Sequence, residues 1–106
     1  MLIGCVFEEL WLSLASLLRS YTALHGLSNK QQAVIEQDED QILARHGSRW
    51  LQLRRDGTVV SWKREDGQCG VMELTEAGQL RSQTSVVEMD MAAEVWAGDL
   101  MRESQQ

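Results

Sequence analysis

Chemistry in this chain would centre on Trp50, which stands among Arg45, Arg49, Arg54, Arg55, Lys63 and Arg64. Six of the ten basic residues and one of the sixteen acids lie between Arg45 and Arg64, so that stretch carries +5 against −11 elsewhere. An indole beside guanidinium and ammonium groups can hold an anionic or aromatic partner. Each cation–π contact contributes about 0.5–2 kcal/mol, depending on how dry the site is. With bases in place of peptide side chains, the same arrangement would grip a single strand of nucleic acid.

Other reactive side chains lack companions. His25 sits near a helix end and His46 beside a turn, neither at metal-ligand spacing from a second ligand. Cys69 falls beside a turn near Lys63 and Arg64, which would favour a thiolate. No neighbouring base completes a nucleophilic pair. Asp38, Glu39 and Asp40 resemble the opening of a calcium loop, but Leu43 and Arg49 occupy positions that need glycine and an acid. The glycines mark turns and form no phosphate-binding pattern. These residues predict no catalytic group, no metal site and no cofactor, hence a protein that is not an enzyme.

At 106 residues the chain is expected to form one domain, 1–106. A composition of 43% hydrophobic and 25% charged residues is enough for one modest core. A net charge of −6 argues against nucleic acid as a main partner. Cys5 and Cys69 predict no disulfide framework, and two scattered cysteines suit the reducing cytoplasm. Leu2-Ile3-Gly4-Cys5 matches a lipobox but follows no charged or apolar leader, so it is read as a chance match. The apolar run Leu10 to Leu18 is too short and too closely flanked by charge to span a bilayer, and no membrane association is expected.

The fold these residues predict is α+β: an N-terminal amphipathic helix, an antiparallel β-meander of about five strands, and a C-terminal helix. The first helix covers about 6–25. Phe7, Leu10, Leu14, Leu17, Tyr21 and Leu24 recur at three- and four-residue steps, with Trp11 and Leu18 widening the stripe. Gly26 is its expected stop. The stripe keeps heptad phase and could form a homodimer seam, but it is wider than a seam and suits the cover of a sheet. Ser28 to Gln32 is a polar connector, and Ala33 to Glu36 a short strand around Val34-Ile35.

The meander spans about 33–82. Gly47-Ser48 reads as a two-residue hairpin loop that sets Ala44 opposite Leu51 and Ile42 opposite Leu53. Asp56-Gly57 reads as another, setting Leu53 opposite Val60 and Leu51 opposite Trp62. Both put Leu51 and Leu53 on one face, because side chains alternate with period two. A longer loop at Glu65 to Cys69 sets Met72 against Trp62, and a Gly78 turn sets Leu74 against Leu80. The expected core face is Ile42, Ala44, Leu51, Leu53, Val60, Trp62, Met72, Leu74 and Leu80. Val86-Val87 is a last short strand. Asp90 is the expected N-cap of a helix over about 90–103, buried through Met89, Ala92, Ala93, Trp96 and Leu100.

The opposite face then carries Leu43, Arg45, Trp50, Gln52, Arg54, Val59, Ser61, Lys63, Val71 and Glu73. In that register Trp50 lies between Arg45 and Lys63. The binding residues this predicts are Trp50, Lys63, Arg45 and Arg54. The expected function is a non-enzymatic interaction or adaptor module, acting on an acidic protein or peptide through this face or by self-association along the first helix. Two alternatives remain open. One is a half-barrel with a small-ligand pocket lined by Trp62, Met72 and Trp96, and the other is a weak binder of single-stranded nucleic acid.

Overall fold

A computed structural model describes residues 3–25 and 33–102, with side chains from residue 6 onward. The stop at Gly26, the connector Ser28–Gln32, the side chains of Leu2 to Cys5 and the tail Glu103–Gln106 lie outside the described residues. Helix α1 (Ile3–His25) leads into seven strands: β1 (Val34–Gln37), β2 (Gln41–His46), β3 (Arg49–Asp56), β4 (Val59–Arg64), β5 (Cys69–Leu74), β6 (Gln79–Arg81) and β7 (Val86–Glu88). Helix α2 (Met89–Met101) follows directly. The strands pair antiparallel in sequence order, β1 to β7. The α+β class is as expected, with seven strands instead of about five.

The first hairpin has the expected register, with Ala44 opposite Leu51 and Ile42 opposite Leu53. The second differs. Its loop is Gly57-Thr58, so Leu53 faces Trp62, Leu51 faces Arg64 and Asp56 faces Val59. The physical reason is backbone sign. Gly47 and Gly57 both take positive φ, 64° and 65°, at the first loop position, and no other residue type does so among those described. That is the glycine-first pattern of a type II′ turn, whereas an Asp56-Gly57 loop of type I′ needs aspartate at positive φ as well.

The β4–β5 connection is a three-residue loop, Glu65-Asp66-Gly67, closed by the Arg64 N–H to the Gln68 carbonyl at 2.8 Å, with Gly67 at φ 91°. It sets Gly70 opposite Trp62 and Met72 opposite Val60, two residues from the expected pairing. Both slips are by two residues, so every side chain keeps its face. The last turn is as read, with Leu74 opposite Leu80 and Gly78 at φ 80°.

Ile42, Ala44, Leu51, Leu53, Val60, Leu74 and Leu80 are buried, and Trp62 and Met72 are half-buried at the edge of that core. Both helices pack on this face. Helix α1 contributes Trp11, Leu14, Ala15 and Leu18, and α2 contributes Met89, Ala92, Ala93, Trp96 and Leu100. The buried line of α1 is rotated from the expected stripe. Leu10 and Leu17 sit at its margin, Leu24 is exposed, and Thr22 is buried because its hydroxyl donates to the Leu18 carbonyl at 2.7 Å. A hydroxyl satisfied within its own helix can enter the core at little cost.

Helix α2 begins at Met89 after an extended Glu88 that makes no side-chain cap, so Asp90 is not the N-cap. It lies in the first turn and accepts the Tyr21 hydroxyl instead, tying the helices together. The Met89 N–H is satisfied by the Gly78 carbonyl at 3.0 Å. Among the described residues, no helix is long and apolar enough to cross a membrane.

Candidate functional site

With both helices on the inner face, the outer face of the sheet is uncovered by any described element. Period-two alternation places Trp50, Arg45, Arg54 and Lys63 there together, but in a different arrangement from the one expected. Trp50 faces Arg45 across β2–β3. On its other side it meets Glu65, not Lys63. The Glu65 N–H donates to the Trp50 carbonyl at 3.3 Å, and the Trp50 N–H to Glu65 Oε1 at 3.1 Å. Lys63 faces Gln52 and so lies diagonal to Trp50. Arg54 faces Ser61. The cause is the two-residue slip at Gly57, which preserves the face and changes the neighbours.

The strands at either side alter the charge of this face. Glu36 on β1 pairs with Arg45 at 2.9 Å. Arg81 on β6 pairs with Glu73, and its hydrogen bond and charge hold the Glu73 carboxyl below its usual range. The Gln79 amide donates to Glu88 at 2.9 Å. What remains is a central band in which Arg54 and Lys63 make no ion pair among the described residues, with half-buried Trp50 at one end. Exposed Val59 and Val71 lie at the other.

The other arginines of the basic stretch point elsewhere. Arg55 turns inward over the Trp11 ring, 5.9 Å from its centroid, and donates to the Gly57 carbonyl at 3.0 Å and the Glu39 carbonyl at 3.4 Å. Arg64 lies 5.4 Å from the Trp62 ring centroid and pairs with Asp99 at 2.8 Å. Arg49 donates to the Asp99 main-chain carbonyl at 2.7 Å. Half of the basic residues between Arg45 and Arg64 therefore fasten the helices to the sheet.

Arg49, Arg64 and Arg102 meet Asp99 at the rim, beside a cleft of about 150 Å³ that Trp50 and Trp96 also line. The sequence reading missed this cluster. Its signal was the extension of the register: Arg64 falls two residues beyond Trp62 on the inner face, and Arg102, just past the end of α2, is three residues from Asp99 in its last turn.

The other expected features sort simply. Trp62 and Trp96 pack against each other with ring centroids 6.4 Å apart, filling space that a ligand pocket between them would need. Of the α1 stripe Phe7, Leu10, Leu14, Leu17, Tyr21 and Leu24, Leu14 is fully buried within the chain, Leu24 is exposed and the others are half-buried. Cys69 is an exposed free thiol opposite Lys63. Among the described residues no three His, Cys, Asp or Glu side chains gather as metal ligands. Comparison with protein-family models, with characterised proteins and with solved structures finds no match to this chain.

Proposed function

We propose that this protein is a non-enzymatic interaction module that captures an acidic protein or peptide segment on the open face of its sheet. The observation that carries this reading is the placement of both helices on one side. It leaves Arg54 and Lys63 without an ion-pair partner among the described residues, in a solvated band that ends at half-buried Trp50. Unpaired cations on a rim steer an acidic partner and set orientation, while a partly desolvated indole supplies the contact area of a binding hot spot. Single-stranded nucleic acid is a poorer fit, because Arg49, Arg55 and Arg64 are spent on the inner side and the net charge is −6. The exposed Cys69 thiol supports a reducing, cytoplasmic setting.

The test is titration of a panel of Asp- and Glu-rich peptides against the wild type and the double variant W50A/K63E, with circular dichroism confirming that the variant is folded. The reading expects micromolar-class binding that weakens with salt and falls at least about tenfold in the variant, the loss of one charge contact and one aromatic anchor. Unchanged binding by the variant, or no binding of any acidic peptide by the wild type, would overturn it.

A further inference from the structure

Asp99 occupies the position that a bound carboxylate would take. Its Oδ2 accepts from Arg64 at 2.8 Å and its Oδ1 from Arg102 at 2.8 Å, so one guanidinium holds each oxygen. Arg49 approaches from a third direction onto the Asp99 carbonyl at 2.7 Å. Each guanidinium carries five N–H donors, and one from each is directed at this residue. The two other acids that line the cleft accept main-chain N–H groups. Glu65 accepts from the Trp50 N–H at 3.1 Å, and Asp66 from the Gln68 N–H at 2.9 Å.

The surroundings have the form of a subsite. The cleft beside the cluster holds about 150 Å³ and is walled by Trp50 and Trp96. Arg64 and Asp99 are about three-quarters buried, which strengthens their charge-assisted bonds, whereas Arg102 is 69% exposed. Trp50 belongs both to this cleft and to the open face, so a chain lying along the band arrives at the arginines. Exchange of one carboxylate for another preserves the number of charge-assisted bonds. Release of Asp99 therefore requires the incoming carboxylate to replace its bond to the mostly buried Arg64 as well as the one to exposed Arg102.

Resting on the reading above, we infer that the Arg49–Arg64–Arg102 cleft is a carboxylate-binding subsite for the acidic partner, with Asp99 as its resident internal competitor. The incoming carboxylate takes the two guanidinium contacts, and Asp99 turns toward solvent at the end of α2. The partner therefore carries an Asp or Glu side chain, or a free C-terminus, just beyond the segment lying on the band.

The experiment follows the indole N–H signals of Trp50 and Trp96 by NMR while N-acetyl-tetraglutamate is titrated, once as the C-terminal acid and once as the amide. Both signals are expected to move in a saturable way. D99N should tighten binding about tenfold by removing the competitor, and R102Q should weaken it about tenfold, the effect of one well-formed charge contact. Stronger binding of the acid form assigns the terminal carboxylate, and equal binding of both forms assigns a side chain.

Acetate, too small to reach the band, is titrated into D99N and D99N/R102Q separately. It should move Trp96 in the first and less in the second. Failure of acetate to move Trp96 in D99N overturns the subsite, whether or not the open face captures tetraglutamate. Loss of tetraglutamate binding in W50A/K63E with no effect of R102Q overturns the subsite and leaves the open-face reading standing. R102Q lies at an exposed position and carries the test alone if D99N does not fold.

Discussion

Trp62 lies flat against Gly70, its partner across β4–β5: a Cβ at position 70 would stand 2.7 Å from Trp62 Nε1 and 2.9 Å from Cε2. The glycine is there for space, since its φ is not positive. Its bare backbone lets the indole fold over the strand and reach Trp96 on α2. G70A is expected to displace the ring and destabilise the domain by about 1–3 kcal/mol, as overpacked cores do. Urea unfolding would measure the loss, and a stability equal to wild type would show that the indole moves freely.

Leu53 is fully buried at the centre of β3, opposite Ile42 and Trp62. L53A removes three carbons from the point where sheet and helices meet. The expected cost is about 2–5 kcal/mol, much of the margin of a domain this size. Equilibrium denaturation gives the number. A cost near that of L24A, at an exposed position, would contradict the core described above.

Tyr21 is the only tyrosine in the chain, so its ionisation can be followed directly by ultraviolet absorbance. Its hydroxyl donates to Asp90, and that bond, with burial and the charges of Asp90 and Glu94, raises its pKa from 10.0 to about 12. A group whose pKa is raised on folding contributes stability that is fully present below the unfolded value and is lost as pH rises through the folded value. The link between α1 and α2 is therefore intact at neutral pH and weakens between pH 10 and about 12. D90N should return the titration toward 10, whereas an unmoved midpoint would mean that Asp90 is not the cause.

Arg55 covers the Trp11 ring with its side chain, while its Nε is buried without a hydrogen-bond partner among the described residues. Its stem and its charge can be separated by substitution. R55A should cost about 1–2 kcal/mol from lost packing and lost cation–π contact. R55M keeps the stem and removes the unpaired Nε, so it should recover at least half of that loss. Equal losses in the two variants, by thermal or chemical unfolding, would place the whole contribution in the charge.

Much of the fold was legible because it rests on local rules. Glycines at the turns, period-two alternation in the strands and the three- and four-residue rhythm of α1 predict helix, meander and helix in the right order. The inner face was read correctly even though two hairpin registers were not. A two-residue slip leaves parity unchanged, and parity decides what is buried. The candidate site was less legible for the same reason. Which residue faces Trp50 depends on the register itself, so Glu65 stands where Lys63 was expected.

By itself the sequence determined which side chains share a face, because alternation is a property of the extended backbone and needs no knowledge of the neighbouring strand. Only the tertiary structure decided what each charge does. Six cations in a row of twenty residues look alike in sequence. Folding sends Arg49, Arg55 and Arg64 to the helix side and leaves Arg54 and Lys63 in the open band. Arg45 stays on that face, tied to Glu36. The choice depends on partners distant along the chain, Trp11 and Asp99 above all, that come within reach only when both helices settle on the same face.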